Sequence, residues 1–258
     1  MRLARIAHTD GVAFVQVDGR TGAETAREIE DHPFGTPTFT GRSWLLADTR
    51  LLAPILPSKV VAVGRNYADH AAELGNVVPA EPIIFIKPST SVIGPRATIN
   101  CPASSQRVDY EGELAVVIGR PCRDVKAENA SSVILGYTIG NDVTARDQQK
   151  ADGGRFTRAK GYDTFCPLGP WIETELDPAD LFVQTELDGD VVQDGRTSDM
   201  VFTVGEIIEF VSGIMTLLPG DVLLTGTPAG VGPMVAGQTV SVIVEGIGTL
   251  TNLVANRK

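Results

Sequence analysis

Acidic side chains that alternate along one predicted strand are the residues of this sequence best suited to chemistry. The stretch Val108 to Gly119 contains Glu111 and Glu113 near its start, followed by an apolar, β-branched run that is typical of a buried strand. Side chains two residues apart on a strand point to the same face, about 7 Å apart along the backbone. Two flexible carboxylates at this spacing can converge on one cation.

A third acid follows a second apolar run. Asp142 ends the segment that begins at Val133 and offers a further oxygen ligand. Three carboxylates with no nearby histidine or cysteine favour a hard ion, Mg²⁺ or Mn²⁺, which keeps open positions for water or substrate. The residues alone leave another interpretation open, because acids are also common at solvated strand ends.

A short helical pattern brings a histidine next to a carboxylate. Residues 65–75 start with Asn66 as a candidate N-cap and stop at Gly75. His70 and Glu73 are three residues apart, so their side chains meet on one helix face. A carboxylate that orients an imidazole raises its basicity, as expected of a general base that acts on water. An exposed helical ion pair is the ordinary alternative.

Charge is distributed unevenly along the chain. The net charge of −10 argues against nucleic acid and anionic membrane as partners, because both would be repelled. Residues 142–160 reverse this trend, with five bases against three acids and a local charge of +2. This segment suggests a small anionic substrate beside the metal ligands, or a solvated basic loop.

Composition predicts a globular chain with a sizeable core. Its 258 residues fit one large domain, or one domain with a small appendage. The N-terminus lacks the apolar core of a signal peptide, so a cytoplasmic location is expected. Cys101, Cys122 and Cys166 are widely spaced and form no Cys-x-x-Cys pair, which indicates reduced thiols rather than disulfides or zinc ligands.

Strand patterns dominate the chain and predict a mainly β fold with short helices. A proline-rich, loop-like stretch over residues 31–43 leads to a boundary near residue 56, so that residues 1–55 form a small N-terminal subdomain and 56–258 the main domain. A helix is predicted over 204–215 and a hairpin at 187–191. The glycine-rich turn after Leu224 allows backbone N–H groups to approach an anion, but it has no Gly-Lys-Ser/Thr and is not a phosphate loop.

Five motifs occur together in one order, and they resemble those of the fumarylacetoacetate hydrolase superfamily over about residues 56–254. They are Gly64-Arg65-Asn66-Tyr67-Ala68-Asp69-His70, Phe85-Ile86-Lys87-Pro88, Glu111-Gly112-Glu113-Leu114, Asn141-Asp142-Val143-Thr144-Ala145-Arg146-Asp147 and Leu224-Thr225-Gly226-Thr227-Pro228-Ala229-Gly230-Val231-Gly232. The short leading segment is similar to that of bacterial single-domain members, which points away from fumarylacetoacetate itself as the substrate.

The resemblance implies a mixed β-roll fold and a complete site. It implies Mg²⁺ or Mn²⁺ held by Glu111, Glu113 and Asp142. The residues it implies as catalytic are His70, Glu73 and Lys160, with the first two on a lid, and those implied as substrate contacts are Arg65, Lys87, Arg146, Gln149 and Thr227. For Lys87, a solvated strand end is the alternative. A homodimer and a role in aromatic-compound catabolism are further implications.

The expected substrate is a small anionic 2-oxo acid whose enolate the metal stabilises. Hydrolytic carbon–carbon cleavage of an acylpyruvate such as fumarylpyruvate is the first expectation. Decarboxylation of oxaloacetate and isomerisation of 2-hydroxyhepta-2,4-diene-1,7-dioate pass through the same enolate and stay open. A non-catalytic protein that binds metal or acid is the alternative from another class.

Overall fold

The structure, a computed structural model, describes residues 1–20, 22–73 and 75–257. Strands account for 44% of the chain and helices for 17%, which confirms the expected mainly β fold with short helices. In the described residues, the strands are β1 (Arg2–His8), β2 (Gly11–Asp18), β3 (Thr25–Ile29), β4 (Phe39–Leu45), β5 (Arg50–Leu51), β6 (Val60–Gly64), β7 (Ile83–Lys87), β8 (Val92–Ile93), β9 (Thr98–Cys101), β10 (Val108–Tyr110), β11 (Gly112–Ile118), β12 (Ile134–Asn141), β13 (Thr144–Ala145), β14 (Cys166–Glu173), β15 (Phe182–Leu187), β16 (Asp190–Arg196), β17 (Val222–Leu224), β18 (Gly232–Met234), β19 (Thr239–Val244) and β20 (Gly248–Asn256).

The helices are few and short. The α-helices are α1 (Ala68–Glu73), α2 (Arg146–Ala151), α3 (Thr157–Lys160) and α4 (Val204–Ile214), and 3-10 turns occur at Leu46–Asp48, Ser89–Ser91, Ala127–Val133 and Thr197–Asp199. Helix α4 begins where the sequence predicts, because Thr203 caps it and Glu206 completes a capping box. In the described part of the chain, no helix is both long and apolar enough to cross a membrane.

One large sheet organises the fold. Its main path runs β4-β3-β2-β1-β14-β12-β11-β17-β6-β7, with β5 and β8 attached to β1 and β14. Strand β11 lies between β12 and β17 and is buried at every residue, because it is packed on both faces. Its continuous apolar sequence is the pattern expected of such a strand. The start of β11 is therefore a rigid place for a functional group.

Two smaller sheets meet the large one at this point. One has the order β13-β10-β18 and the other β16-β15-β19-β20-β9. The chain passes from β10 in the three-stranded sheet to β11 in the large sheet, and Glu111 occupies the single residue between them. The sequence predicted Glu111 and Glu113 at the entry of one strand; in the structure Glu113 lies in β11, whereas Glu111 lies just before it, because β10 and β11 pair with different neighbours.

The N-terminal strands extend the large sheet. Strand β1 pairs with β14 at Arg2↔Glu173 and Leu3↔Ile172. The expected loop over residues 31–43 is wrong at its end, because β4 pairs with β3. Strand β4 is exposed along most of its length, so its sequence has few of the apolar residues that indicate a strand.

The helix expected over residues 65–75 is shorter than predicted. Asn66 is not its cap, because the Asn66 Oδ1 that a cap would use accepts the Phe202 N–H (2.8 Å). The Asn66 side-chain nitrogen donates to the carbonyls of Phe202 (2.9 Å) and Thr225 (2.7 Å). Helix α1 begins only at Ala68. Leu74, within the expected helix, lies outside the described residues, and Gly75 has the positive φ of 69° that suits a helix end.

Candidate active and metal site

Three buried carboxylates converge at the junction of the sheets. One oxygen each from Glu111, Glu113 and Asp142 lies within 4.8 Å of the others. The backbone fixes this arrangement, because the Asp142 N–H donates to the Glu111 carbonyl (2.8 Å) and the Glu111 N–H donates to the side-chain oxygen of Asn141 (3.0 Å). The two segments that supply the acids are thus bound directly to each other.

Two buried lysines neutralise part of this charge. Lys160 Nζ donates to Glu111 (2.6 Å) and to Asp142, and Lys87 Nζ donates to the other oxygen of Asp142 and to the Val143 carbonyl (3.3 Å). Burial by itself lowers the pKa of Lys160, but the carboxylates of Asp142 and Glu111 outweigh it and raise that pKa above its usual value. Lys160 is therefore a cation at neutral pH.

Asp109 and Arg146 extend the ion pairs on the other side. Arg146 donates to Asp109 through Nε (3.0 Å), to Gln149 through one terminal nitrogen (2.8 Å) and to Glu111 through the other. Asp109 is fully buried and also accepts two hydrogen bonds from Arg107. Our sequence reasoning missed Asp109, although it lies two residues before Glu111 and the same alternation could have indicated it.

Glu113 differs from the other acids of the cluster. Among the described residues, no lysine or arginine forms an ion pair with it, and it accepts a hydrogen bond from the Gly226 N–H (2.6 Å). Burial and the nearby carboxylates of Asp142 and Glu111 raise the pKa of Glu113 well above its usual value. Burial opposes the same ionisation in Glu111, but Lys160 and Arg146 hold the pKa of Glu111 well below its usual range.

This donor set fits a hard divalent ion. The three acids provide carboxylate oxygens, and Glu113 is the one that has no lysine or arginine ion pair among the described residues. A bound cation would favour the ionised form of Glu113. A site that already holds the Lys160 ammonium between two of the three acids is built for positive charge. The structure thus contains a buried acidic triad that can hold a metal ion.

The triad opens into a cavity of about 470 Å³, the size of a small-molecule site. Its apolar lining includes Val63, Gly64 and Phe156. The charged and polar residues that line the rest include Arg65, His70, Arg107, Arg146, Asp147, Gln149, Lys150, Lys160 and Thr227. A small anion that carries an apolar segment fits this combination.

The predicted catalytic pair lies on α1, at the edge of this cavity. His70 lines the cavity and is buried, whereas Glu73 is one-third exposed. His70 Nδ1 lies 3.5 Å from Glu73, and the structure records no hydrogen bond to this nitrogen. The Glu73 carboxylate instead accepts the Gly230 N–H at 3.2 Å, which attaches α1 to the glycine-rich loop.

The structure also shows where Lys87, Thr227 and part of the basic segment lie relative to the cavity. Lys87 is fully buried behind Asp142 and does not line the cavity, so neither a substrate contact nor a solvated strand end describes it. Thr227 lines the cavity while its hydroxyl donates to the Gly112 carbonyl (2.8 Å). Arg158, on α3, pairs with Asp152 at the surface, so part of the basic segment is solvated.

Comparisons with known proteins agree with this geometry. Residues 59–255 match the family model described as "Fumarylacetoacetate (FAA) hydrolase C-terminal", and residues 1–54 match "Rv2993c-like, N-terminal". Protein Rv2993c of Mycobacterium tuberculosis is 63% identical over 263 residues, which cover 100% of this chain and 99% of that protein.

Solved structures that are similar over the whole chain include two mycobacterial proteins named as isomerases. The 5-carboxymethyl-2-hydroxymuconate delta-isomerase from Mycobacterium smegmatis is 60% identical with a TM-score of 0.95, and the comparison covers 100% of both chains. The 2-hydroxyhepta-2,4-diene-1,7-dioate isomerase from Mycobacterium marinum is 62% identical with a TM-score of 0.94, covering 100% of this chain and 99% of that one.

Proposed function

This chain belongs to the fumarylacetoacetate hydrolase family, and we propose that it is a metal-dependent enzyme that cleaves a carbon–carbon bond of a small acylpyruvate, such as fumarylpyruvate, by hydrolysis. One observation carries the proposal: a buried histidine with a carboxylate beside it faces the same cavity as three convergent acids. The acids suit a cation, and the histidine suits proton transfer.

Glu111, Glu113 and Asp142 are the residues that would hold Mg²⁺ or Mn²⁺. When bound, such an ion supplies positive charge that stabilises the enolate of the pyruvate product. Lys160 and Arg146 line the same cavity and attract the carboxylate and keto oxygens of a 2-oxo acid. Ion pairs with the buried acids hold the Lys160 and Arg146 side chains in place, so these side chains need little reorganisation during the reaction.

His70 is the proposed general base. It accepts a proton from a water molecule, whose oxygen attacks the carbonyl distal to the pyruvate unit; the bond between that carbonyl carbon and the pyruvate methylene carbon then breaks, and the electron pair remains on the enolate. Glu73, 3.5 Å from His70 Nδ1, stabilises the imidazolium that forms. Products of this step are pyruvate, after protonation of the enolate, and a carboxylic acid.

Isomerisation is the second candidate, because both similar structures above are named isomerases. In the isomerisation of a substrate such as 2-hydroxyhepta-2,4-diene-1,7-dioate, His70 would move a proton from one carbon to another, and no water would attack. Decarboxylation of oxaloacetate is the remaining member of this set; it needs neither water nor a base, so it makes no use of the His70 and Glu73 pair.

The test is an assay of purified protein with Mg²⁺ or Mn²⁺ on fumarylpyruvate, acetylpyruvate, oxaloacetate and a 2-hydroxydienedioate, followed by enol absorbance and pyruvate release. We expect pyruvate from acylpyruvates, loss of activity in Glu113→Ala, and unchanged activity in the surface control Glu209→Gln. Turnover of the dienedioate without pyruvate release would favour the isomerase, and turnover of oxaloacetate alone the decarboxylase.

Two further outcomes bear on the proposal. Activity retained in metal-stripped protein contradicts metal dependence, and no turnover of any substrate together with tight oxalate binding favours a non-catalytic binding protein. The homodimer implied by the family resemblance stays a prediction, which sedimentation velocity of the same preparation tests.

A further inference from the structure

The backbone between two of the acids is held by side chains from distant parts of the chain. Gly112 separates Glu111 from Glu113; its N–H donates to Gln193 Oε1 (3.0 Å) and its carbonyl accepts the Thr227 hydroxyl (2.8 Å). No larger residue fits there, because a Cβ on Gly112 would collide with the Thr185 hydroxyl and Val242. The spacing of Glu111 and Glu113 therefore depends on this packing.

Gln193 uses its whole amide in this contact. Its oxygen also accepts the Thr185 hydroxyl (2.8 Å), and its nitrogen donates to Thr227 Oγ1 (2.8 Å) and to the Pro228 carbonyl (2.8 Å). The side chain is 1% exposed, and both N–H donors and both oxygen lone pairs have a partner. A rotated amide would point its N–H groups at the Gly112 N–H, so the orientation is determined.

The same side chain seats the glycine-rich loop. Thr227 and Pro228 rest on β16 through Gln193, and Gly230 lies against the Val192 carbonyl of that strand with a φ of 99°, where a Cβ has no room. This loop carries the N–H groups that bind Glu113 and Glu73. The buried Gln193 amide thus contacts both the segment that supplies Glu111 and Glu113 and the loop that is bound to helix α1.

We propose that Gln193, which does not line the cavity, is a positioning residue that holds Glu111 and Glu113 at the spacing needed for a divalent ion and keeps the Thr227–Gly230 loop in register with them. The inference rests on the proposed function for the presence of the ion. Mutation of a group that orients metal ligands from behind typically weakens metal affinity about 10–100-fold, because a displaced oxygen loses its bond to the ion.

The experiment measures Mn²⁺ affinity of metal-stripped, folded protein by titration calorimetry and by electron paramagnetic resonance of free Mn²⁺. Gln193→Met keeps the approximate volume but removes all four hydrogen bonds, and we expect Mn²⁺ binding to weaken at least about tenfold. Gln238→Met is the matched control and should bind Mn²⁺ as the wild type does. Among the described residues, the Gln238 amide bonds only to Asp188 and the Val235 N–H, in a turn.

A second variant covers the case in which Gln193→Met does not fold. Gln193→Glu keeps an acceptor for Gly112 and Thr185 but places an oxygen against the Pro228 carbonyl, and we expect weaker Mn²⁺ binding here too. Wild-type affinity in a folded variant, whatever its thermal stability, overturns the proposal and leaves Gln193 a purely structural residue. So does a wild type that binds no Mn²⁺.

Turnover separates this inference from the proposed function. A wild type that binds Mn²⁺ but converts none of the 2-oxo acids refutes the reaction while the affinity comparison still decides the role of Gln193. Full turnover with unchanged Mn²⁺ affinity in the Gln193 variants refutes the positioning role and leaves the reaction standing.

Discussion

Replacing Lys160 tests whether the acidic cluster is held together by its cations. Lys160 Nζ lies between Glu111 and Asp142, and all three side chains are at most 5% exposed. In Lys160→Met, two buried carboxylates lose their shared ammonium group while the methylene stem is largely preserved. Glu111 keeps Arg146 and Asp142 keeps Lys87, but the repulsion among the three acids increases because the cation that lies between two of them is gone.

The expected cost is large because the pair is buried. Removal of one partner from a buried ion pair typically costs about 3–5 kcal/mol when the remaining charge is left unpaired. Glu111 keeps Arg146 and Asp142 keeps Lys87, so we expect the low end of this range, about 3 kcal/mol. For a chain of this size, that corresponds to a melting temperature lower by roughly 6–12 °C. A divalent ion that binds the same oxygens supplies the missing charge, so saturating Mn²⁺ should recover part of the loss.

Urea unfolding and thermal melts of metal-stripped protein, repeated with Mn²⁺, measure both effects. Lys126→Met is the matched control: Lys126 pairs with Glu209 at the surface, where 67% and 40% of the two side chains are exposed, so we expect a change below about 1 kcal/mol. If metal-stripped Lys160→Met is as stable as the control variant, the cluster does not depend on its cations and the reasoning is refuted.

Three other outcomes follow from the same geometry. In metal-stripped protein, the raised pKa of Glu113 favours its protonated form. The wild type should therefore lose stability relative to Glu113→Gln as the pH rises from 4.5, the ordinary pKa of a glutamate, through the raised pKa of Glu113. Urea unfolding at several pH values measures the difference in stability between the two proteins, and a difference that does not change with pH contradicts the prediction. His70→Asn should lower kcat for an acylpyruvate by about 10²–10⁴ with unchanged Mn²⁺ affinity; equal kcat values would remove His70 from the mechanism. Burial raises the pKa of the Cys166 thiol to about 12, so a thiol reagent at pH 8 should modify it only after unfolding, and rapid labelling of the native protein would contradict its burial.

Local patterns in the sequence were sufficient for the fold class and for part of the site. The apolar run after Glu113 predicts a buried strand, and β11 is buried throughout. The alternation of Glu111 and Glu113, with Asp142 after the next apolar run, indicates acids that meet, and the structure places their oxygens within 4.8 Å of each other. The pairing of Glu111 with Glu113 is predictable because side-chain direction in an extended chain repeats every two residues. Asp142 joins them because β12, which it follows, pairs with β11.

The tertiary structure alone decided which groups stand behind those acids. Lys87 pairs with Asp142 across 55 residues, and Gln193 reaches Gly112 across 81. No periodic pattern in the sequence predicts such contacts. A lysine or glutamine is ordinarily solvated, and it becomes a buried partner only when distant strands pack around it. The sequence by itself determined the strands and the acids that they present; the packing of three sheets at one junction determined the charges, the loop and the amide that hold those acids in place.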